Sequence, residues 1–272
     1  MRTQSAVRWH VLHQLLRIVI STLLVFWLVI PLTPLLLWAG ASRWSGTSRL
    51  PQQLGLRGWQ EALDAGIVAA LMRSGLLGAT VALIATPLGV MAGRALGWRL
   101  VRRPALPSVV LLAPVVLAPF AVAMGLDVVI LRLGVPGDLG VVLVLSVFAL
   151  PYTTFTMRAT YLGLDPALEE QARVLGASSR QARRRVTLPA AYTGLVTATG
   201  LAFLVGWSDY AVTLLIGGGQ IVTAPMIIGS SAAGSGNDAL TSTLAVSASL
   251  PPLVALAVFT YAASRRRTAA YS

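Results

Sequence analysis

The 272-residue chain contains no cysteine, and none of its 21 basic residues is lysine. Without cysteine there are no disulfides, no thiolate metal ligands and no thiol nucleophile. Without lysine there is no Walker A loop, whose Gly-Lys-Ser/Thr holds the β- and γ-phosphates, so the chain is not itself a P-loop ATPase. Histidine is scarce as well. His10 and His13 both fall before or at the start of the first apolar run, which leaves no imidazole for catalysis or metal binding within a membrane. The serines and glycines of GSSAAGSG (229–236) have no neighbouring His or Lys base and read as a flexible loop. Charge is sparse: 11% of residues are charged, where a soluble domain of this length carries roughly twice that fraction.

What the chain has instead is apolar length. It is 56% hydrophobic, with a mean hydropathy of +0.77. Apolar runs recur that are each long enough, at about 20 residues, to cross a bilayer as a helix. Six are expected: Val11–Ala39, Gly66–Leu96, Leu106–Leu131, Leu139–Tyr161, Ala190–Ile216 and Leu240–Ala263. The fold class is therefore all-α, a polytopic membrane protein with six transmembrane helices. Ala39-Gly40-Ala41 resembles a signal-peptidase site, but the run before it exceeds the ~7–15 residues of a signal core, so it reads as an uncleaved span. The net charge of +12 would suggest nucleic acid in a soluble protein. In a membrane protein it reads as the basic bias of cytoplasmic loops, so no nucleic-acid partner is expected.

The arginines set an orientation. Arg2, Arg8 and Arg17 precede or open the first span, Arg94, Arg99, Arg102 and Arg103 lie between the second and third, and Arg158, Arg173, Arg180 and Arg183–Arg185 between the fourth and fifth. Arg265, Arg266 and Arg267 close the chain. The opposite side has only Arg43, Arg49, Arg57, Arg73 and Arg132. The positive-inside rule then puts both termini in the cytoplasm. Gly89, Gly93 and Gly97 repeat every fourth residue, presenting a small face to a neighbouring helix. Pro87, Pro114, Pro119 and Pro151 fall inside spans, where neighbours can re-satisfy the freed carbonyls.

The longest polar stretch, LEEQARVLGASSRQARRRVTLP (168–189), is by this orientation a cytoplasmic loop. Asp165 and Pro166 read as N-cap and first position of a short helix. Along it Leu168, Ala172 and Leu175 share a face, and Glu169 and Arg173 are spaced for an i,i+4 ion pair. Gly176 suits a left-handed C-terminal residue, and Ser178 with Gln181 forms a capping box opening a second helix. The second helix carries Arg180, Arg183, Arg184 and Arg185 before Pro189. Two capped helices with an apolar face form a docking element for a protein partner; the arginine cluster alone reads equally well as a contact to anionic lipid headgroups.

These residues carry a family resemblance. Glu170, Ala172, Gly176, Val186, Leu188 and Pro189 match the Glu-Ala-Ala, three residues, Gly, nine residues, Ile-x-Leu-Pro pattern of permease subunits of binding-protein-dependent ABC importers, with Gln171 and Val186 as departures. The chain resembles the MetI-like group of these permeases. The resemblance implies a permease domain at 66–263 containing a coupling loop at 165–189, preceded by an N-terminal tail, first span and external loop at 1–65 and followed by a cytoplasmic tail at 264–272. It implies that Glu170, Ala172, Gly176, Leu188 and Pro189 couple the loop to an ATPase. It also implies the partners: a second permease, identical or similar, two cytoplasmic ATP-binding subunits that bind ATP and Mg, and an extracytoplasmic solute-binding protein. The location implied is the bacterial inner membrane. No cofactor is expected in this chain, which is a transport component rather than an enzyme.

Solute-path candidates are ionisable or aromatic residues at membrane depth. Asp127 lies in the third expected span and Asp209 in the fifth, within FLVGWSDYAVTLL. Asp209 equally reads as a cap of a broken helix or the partner of a basic group on the second permease. Trp207 and Tyr210 read as path lining or as interfacial aromatics. The short apolar piece at Ile221–Ile228 resembles the partly re-entrant outer segment of these permeases, with a passive linker as the alternative. RVLGASSRQ and WSDY resemble the branch handling polyamines, iron, thiamine or sulfate. A self-contained secondary transporter is the competing class; it would carry coupling residues in its spans, often with inverted repeats, and no clear internal repeat is seen.

Overall fold

The computed structural model describes residues 2–44, 48, 50–234, 236 and 238–269, with backbone alone for 2–13, 15, 28, 259, 260 and 262–269. The side chains of Arg2, Arg8, His10, His13, Arg265, Arg266 and Arg267 lie outside the described residues, as do Arg49 and Ser235. The fold is all-α. Three helices are individually long and apolar enough to cross a membrane, and six spans result when each of three bent helix pairs is counted as one.

The chain divides into two compact units. The first, Met1–Ala65 with Ser231–Ser247, contains α1 (Arg2–Val29), α2 (Leu32–Ala39), strands β1 (Ala41–Arg43) and β2 (Gln53–Leu54) and helix α3 (Arg57–Asp64). The first expected span is thus two helices bent by 46° around Pro31, not one. The short antiparallel pair β1–β2 was not anticipated. Trp59 donates its indole N–H to Ala39 O at 3.1 Å, fixing α3 beside the end of α2.

The second unit, Gly66–Ser230 with Ala248–Ser272, holds α4 (Ile67–Gly97), α5 (Ala105–Val116), α6 (Pro119–Arg132) and α7 (Gly137–Leu162). Its loop helices are α8 (Ala167–Val174), α9 (Ser179–Ala182), a π-turn (Arg183–Thr187) and α10 (Leu188–Ala190). Then come α11 (Tyr192–Ser208), α12 (Ala211–Ile216) and α13 (Ala224–Ala233). Helix α14 (Asp238–Ala269) begins in the first unit's residues and ends in the second's. Its helix passes the end expected at Ala263 despite Pro251 and Pro252.

The frame of this unit is α4 against α7 and α11. The glycine face expected on α4 is used here: a Cβ at Gly93 would sit 2.5 Å from Met157 Cβ and 2.9 Å from Thr154 O, and one at Gly97 2.7 Å from Tyr161 Cβ. Only hydrogen in place of a side chain lets the two backbones approach so closely. Thr153 Oγ1 donates across the seam to Ala85 O at 3.2 Å. Apolar side chains including Val81, Ala85, Leu145, Ala149 and Ala202 fill the centre.

Two further expected spans are broken, both in this unit. The third turns by 104° between α5 and α6, because Leu117 and Ala118 are extended and Pro119 starts a new helix. A proline pushes its predecessor toward extended backbone, and Ala118 (ψ 124°) has gone there. The fifth stops at Ser208, and α12 begins only at Ala211. The segment 229–236, read as a flexible loop, is helical as far as Ala233: Ala and Ser sustain the turns, and Ser230 Oγ bonds back to Ile227 O at 2.9 Å. The N-terminus of α13 is tied to α4, with Ser74 Oγ accepting from Ala224 N at 2.9 Å.

Candidate functional site

The polar loop is rigid for local reasons. Asp165 Oδ1 accepts from Ala167 N at 2.9 Å, so Asp165 acts as the N-terminal acceptor, although α8 starts one residue later than expected, at Ala167. At the other end Gly176 has φ +88°. Its N–H donates to Arg173 O at 3.0 Å, and Ala177 N to Ala172 O at 3.0 Å. That pair of bonds is a Schellman turn, which satisfies carbonyls the helix leaves free. The capping box follows at once: Gln181 N donates to Ser178 Oγ at 3.3 Å and Ser178 N to Gln181 Oε1 at 2.9 Å. One helix is thereby stopped and the next started across the four residues 175–178.

The expected Glu169–Arg173 pair is not formed. Glu169 is 8% exposed and turns away from solvent, accepting from Arg94 Nη2 of α4 at 3.0 Å on both carboxylate oxygens and from Thr187 Oγ1 at 3.1 Å. A buried carboxylate requires a charge partner and further hydrogen bonds, and Arg94 with Thr187 offers both, which exposed Arg173 does not. Arg94, Glu169 and Thr187 were missed from the sequence. The available signal was an arginine in the last turn of a largely apolar span. Trp98 lies over the guanidinium, its ring centroid 4.7 Å from Arg94 Cζ. Its indole N–H donates to Tyr161 O and Leu164 O at 3.0 and 3.2 Å.

Glu170, one residue on, is exposed and borders a shallow depression with Arg173, Val174 and Ser178. Ala172 is half-buried, Leu188 half-buried and Pro189 exposed. Val174 and Leu175 are each 88% exposed, an apolar tip at the turn. Arg180 of α9 with Arg184 and Arg185 of the π-turn borders one shallow depression. The chain thus presents a stiff knob with an apolar tip, an acidic residue at its side and a basic flank.

The other candidates gather elsewhere in the same unit. A cleft of roughly 560 Å³ is lined by Pro119 and Phe120 from the start of α6, Phe148 and Tyr152 from α7, and Ser208, Asp209 and Tyr210 from the break between α11 and α12. Asp209 Oδ2 accepts from Thr213 N at 2.8 Å and Thr213 Oγ1 at 2.9 Å, capping α12. Tyr210 is exposed and its ring lies against Gly229. Trp207 is outside the cleft: it is 6% exposed, stacks on Phe203 at 5.7 Å and donates to Ala248 O at 3.3 Å. Asp127 lies half-buried on α6, also outside the cleft. No cluster of three or more metal-ligating side chains occurs among the described residues.

Comparison with known proteins covers most of the chain. Residues 65–269 match the family described as "Binding-protein-dependent transport system inner membrane component". A trehalose transport system permease protein, SugB, of Mycobacterium tuberculosis is 38% identical over 90 residues, which is 33% of this chain and 33% of that protein. The chain therefore spans about a third of that relative's length. A putative 2-aminoethylphosphonate transport system permease protein, PhnV, of Salmonella paratyphi A is 28% identical over 78% of this chain and 80% of its own length. A solved bacterial ABC transporter, described as importing the acidic polysaccharide alginate, shares the fold with a TM-score of 0.65 at 17% identity, over 91% of this chain and 96% of its own.

Proposed function

The chain belongs to the family of binding-protein-dependent transport system inner membrane components, and from that premise we propose that it is a permease subunit of an ATP-driven ABC importer. It pairs with a second permease, a copy or a similar chain, to form the solute path. Two cytoplasmic subunits bind ATP and Mg and hydrolyse ATP, and an extracytoplasmic binding protein delivers solute. Both termini face the cytoplasm.

The observation that carries this reading is the knob at 165–189. A helix end built from an Asp acceptor, a Schellman turn and a capping box transmits displacement, where a floppy connection would absorb it. Its apolar tip, Val174 and Leu175, is almost fully exposed, as a surface meant for a protein partner is. Glu170 supplies a polar contact at the side of the tip, Ala172 permits close approach, Gly176 makes the turn, and Leu188 and Pro189 lead into the bend before α11.

The cleft at the two helix breaks is the proposed solute path, with Asp209 and Tyr210 on its wall and Ser208 beside them. Discontinuous helices line the sites of many transporters. The narrower solute reading, a polyamine or a related small solute, rests on the RVLGASSRQ and WSDY stretches. The relatives described above are named for trehalose and 2-aminoethylphosphonate, so the proposal is held at a small solute, with polyamines to be tested among others.

Extraction in mild detergent tests the assignment. The chain brings down an ATP-binding subunit, and Leu175→Asp or Glu170→Arg releases it. Solute uptake driven by an ion gradient, in vesicles holding this chain alone, would instead establish a self-contained secondary transporter. Labelling of a Leu175→Cys variant from outside intact cells would reverse the orientation and end the coupling role.

A further inference from the structure

A buried charge pair fastens the docking loop to the long helix α4. Arg94 comes from the last turn of α4, Glu169 from the first turn of α8, and Thr187 from the π-turn leading to α10. Glu169 is gripped from two sides, by the guanidinium at 3.0 Å and the hydroxyl at 3.1 Å. Trp98 covers the guanidinium while bonding the carbonyls of Tyr161 and Leu164, which brings the end of α7 onto the same cluster. Among the described residues, the two Arg94–Glu169 bonds are the only hydrogen bonds between α4 and α8.

Such a grip fixes position. The carboxylate cannot slide along α4 without leaving a buried charge unpaired. The exposed tip at Leu175 is six residues further along the chain, about 9 Å at helical rise. The covalent routes out of the loop are bent by contrast: α7 reaches α8 through the non-helical stretch 163–166, and Ser179–Ala190 meets Tyr192–Ser208 at 78°. We propose that Arg94, Glu169 and Thr187 form a positioning latch that makes the docking loop and α4 move as one body. Displacement of the loop by an ATPase is then delivered to α4 and, across the glycine seam, to α7, a role that rests on the permease reading above.

The chain has no cysteine, so Leu175→Cys and Met91→Cys introduce two unique spin-label sites, both on exposed side chains. With the native latch, the purified chain in lipid nanodiscs gives one narrow inter-label distance. Glu169→Gln and Arg94→Gln each broaden it, and Arg94→Glu combined with Glu169→Arg narrows it again. Thr187→Val removes only the hydroxyl, broadens the distribution less, and carries the test should the Gln variants fail to fold. An unchanged distribution in these variants overturns the latch. This readout needs no ATPase, so it is decided separately from the permease assignment. In the assembled transporter, the Gln variants keep ATP hydrolysis within about twofold while solute uptake falls about tenfold, within the range of ordinary coupling free energies. Equal loss of both activities overturns the latch, because it marks lost docking and not lost transmission.

Discussion

Adding one methyl group at Gly93 and one at Gly125 should move stability in opposite directions. Both glycines are inside helices of the same unit, α4 and α6. At Gly93 a Cβ would lie 2.5 Å from Met157 Cβ, 2.8 Å from Arg158 N and 2.9 Å from Thr154 O. Carbon atoms prefer a separation of about 3.5–4.0 Å, so α4 and α7 would have to part by about 1 Å. Two of the three obstructing atoms are backbone and cannot swing aside. Overpacking of this kind costs about 1–3 kcal/mol, and the upper end applies here; the helix preference of Ala over Gly returns about 1 kcal/mol. Gly93→Ala is therefore destabilising by about 2 kcal/mol. At Gly125 a Cβ meets nothing within 4 Å, so only the gain of up to about 1 kcal/mol remains. The two variants differ by about 3 kcal/mol, or about 6–12 °C in Tm at about 2–4 °C per kcal/mol for a chain of this size. Thermal unfolding in one detergent, followed by the fluorescence of the seven tryptophans, reads the difference. Equal midpoints for Gly93→Ala and Gly125→Ala would refute the close α4–α7 seam.

Three further outcomes are expected. Gly176 has φ +88° with open space around its Cβ position, so Gly176→Ala incurs only backbone strain of about 1–2 kcal/mol and weakens capture of the ATP-binding subunit by about 5- to 30-fold, whereas Gly176→Asn stays near wild type; equal affinities for the two variants would remove the turn from the explanation. Asp209→Asn preserves the cap on α12 and the thermal midpoint, while Asp209→Ala costs about 1 kcal/mol; if Asp209→Asn unfolds as readily as Asp209→Ala, the carboxylate is doing more than capping. Ser178→Ala removes the capping box and, at about 1 kcal/mol, raises amide hydrogen exchange at Gln181 about fivefold, with no change expected at the α4–α7 seam.

Features set by neighbouring residues could be read directly from the chain. The Gly176 turn and the Ser178–Gln181 capping box involve residues at most five apart, and both are present. The glycine repeat of α4 was legible for the same reason, since helical period alone puts the three on one face. Glu169 was not. Two adjacent glutamates, Glu169 and Glu170, point about 100° apart on a helix, and which of them turns inward depends on Arg94, 75 residues earlier. Local spacing offered Arg173 as a partner; tertiary packing supplied a better one. Proline was equally ambiguous. Pro87, Pro114 and Pro151 all remain inside helices, and Pro119 instead starts one. The rule that a proline disfavours helix before it applies to all four, so it cannot by itself locate the break at Leu117–Ala118.

The straight and broken helices divide the work of the second unit. The seam between α4 and α7 is closed by glycines and a buried threonine bond, so close that no side chain would fit at Gly93 or Gly97. On the transport role proposed above, shape change falls to the helices that are already interrupted. Both interruptions, at Leu117–Ala118 and at Asp209–Tyr210, adjoin the cleft. At the second, Asp209 satisfies backbone donors that a broken helix would otherwise leave unpaired in an apolar setting, so α12 is a separately capped piece whose Val212 and Ile216 pack into the same core as α7. With the loop fastened to α4 through Glu169, a displacement of the loop, on the coupling role proposed above, enters the α4–α7 pair before it reaches the cleft. In the proposed importer that ordering matters, because a loop tied directly to the broken helices would dissipate the displacement at the first break.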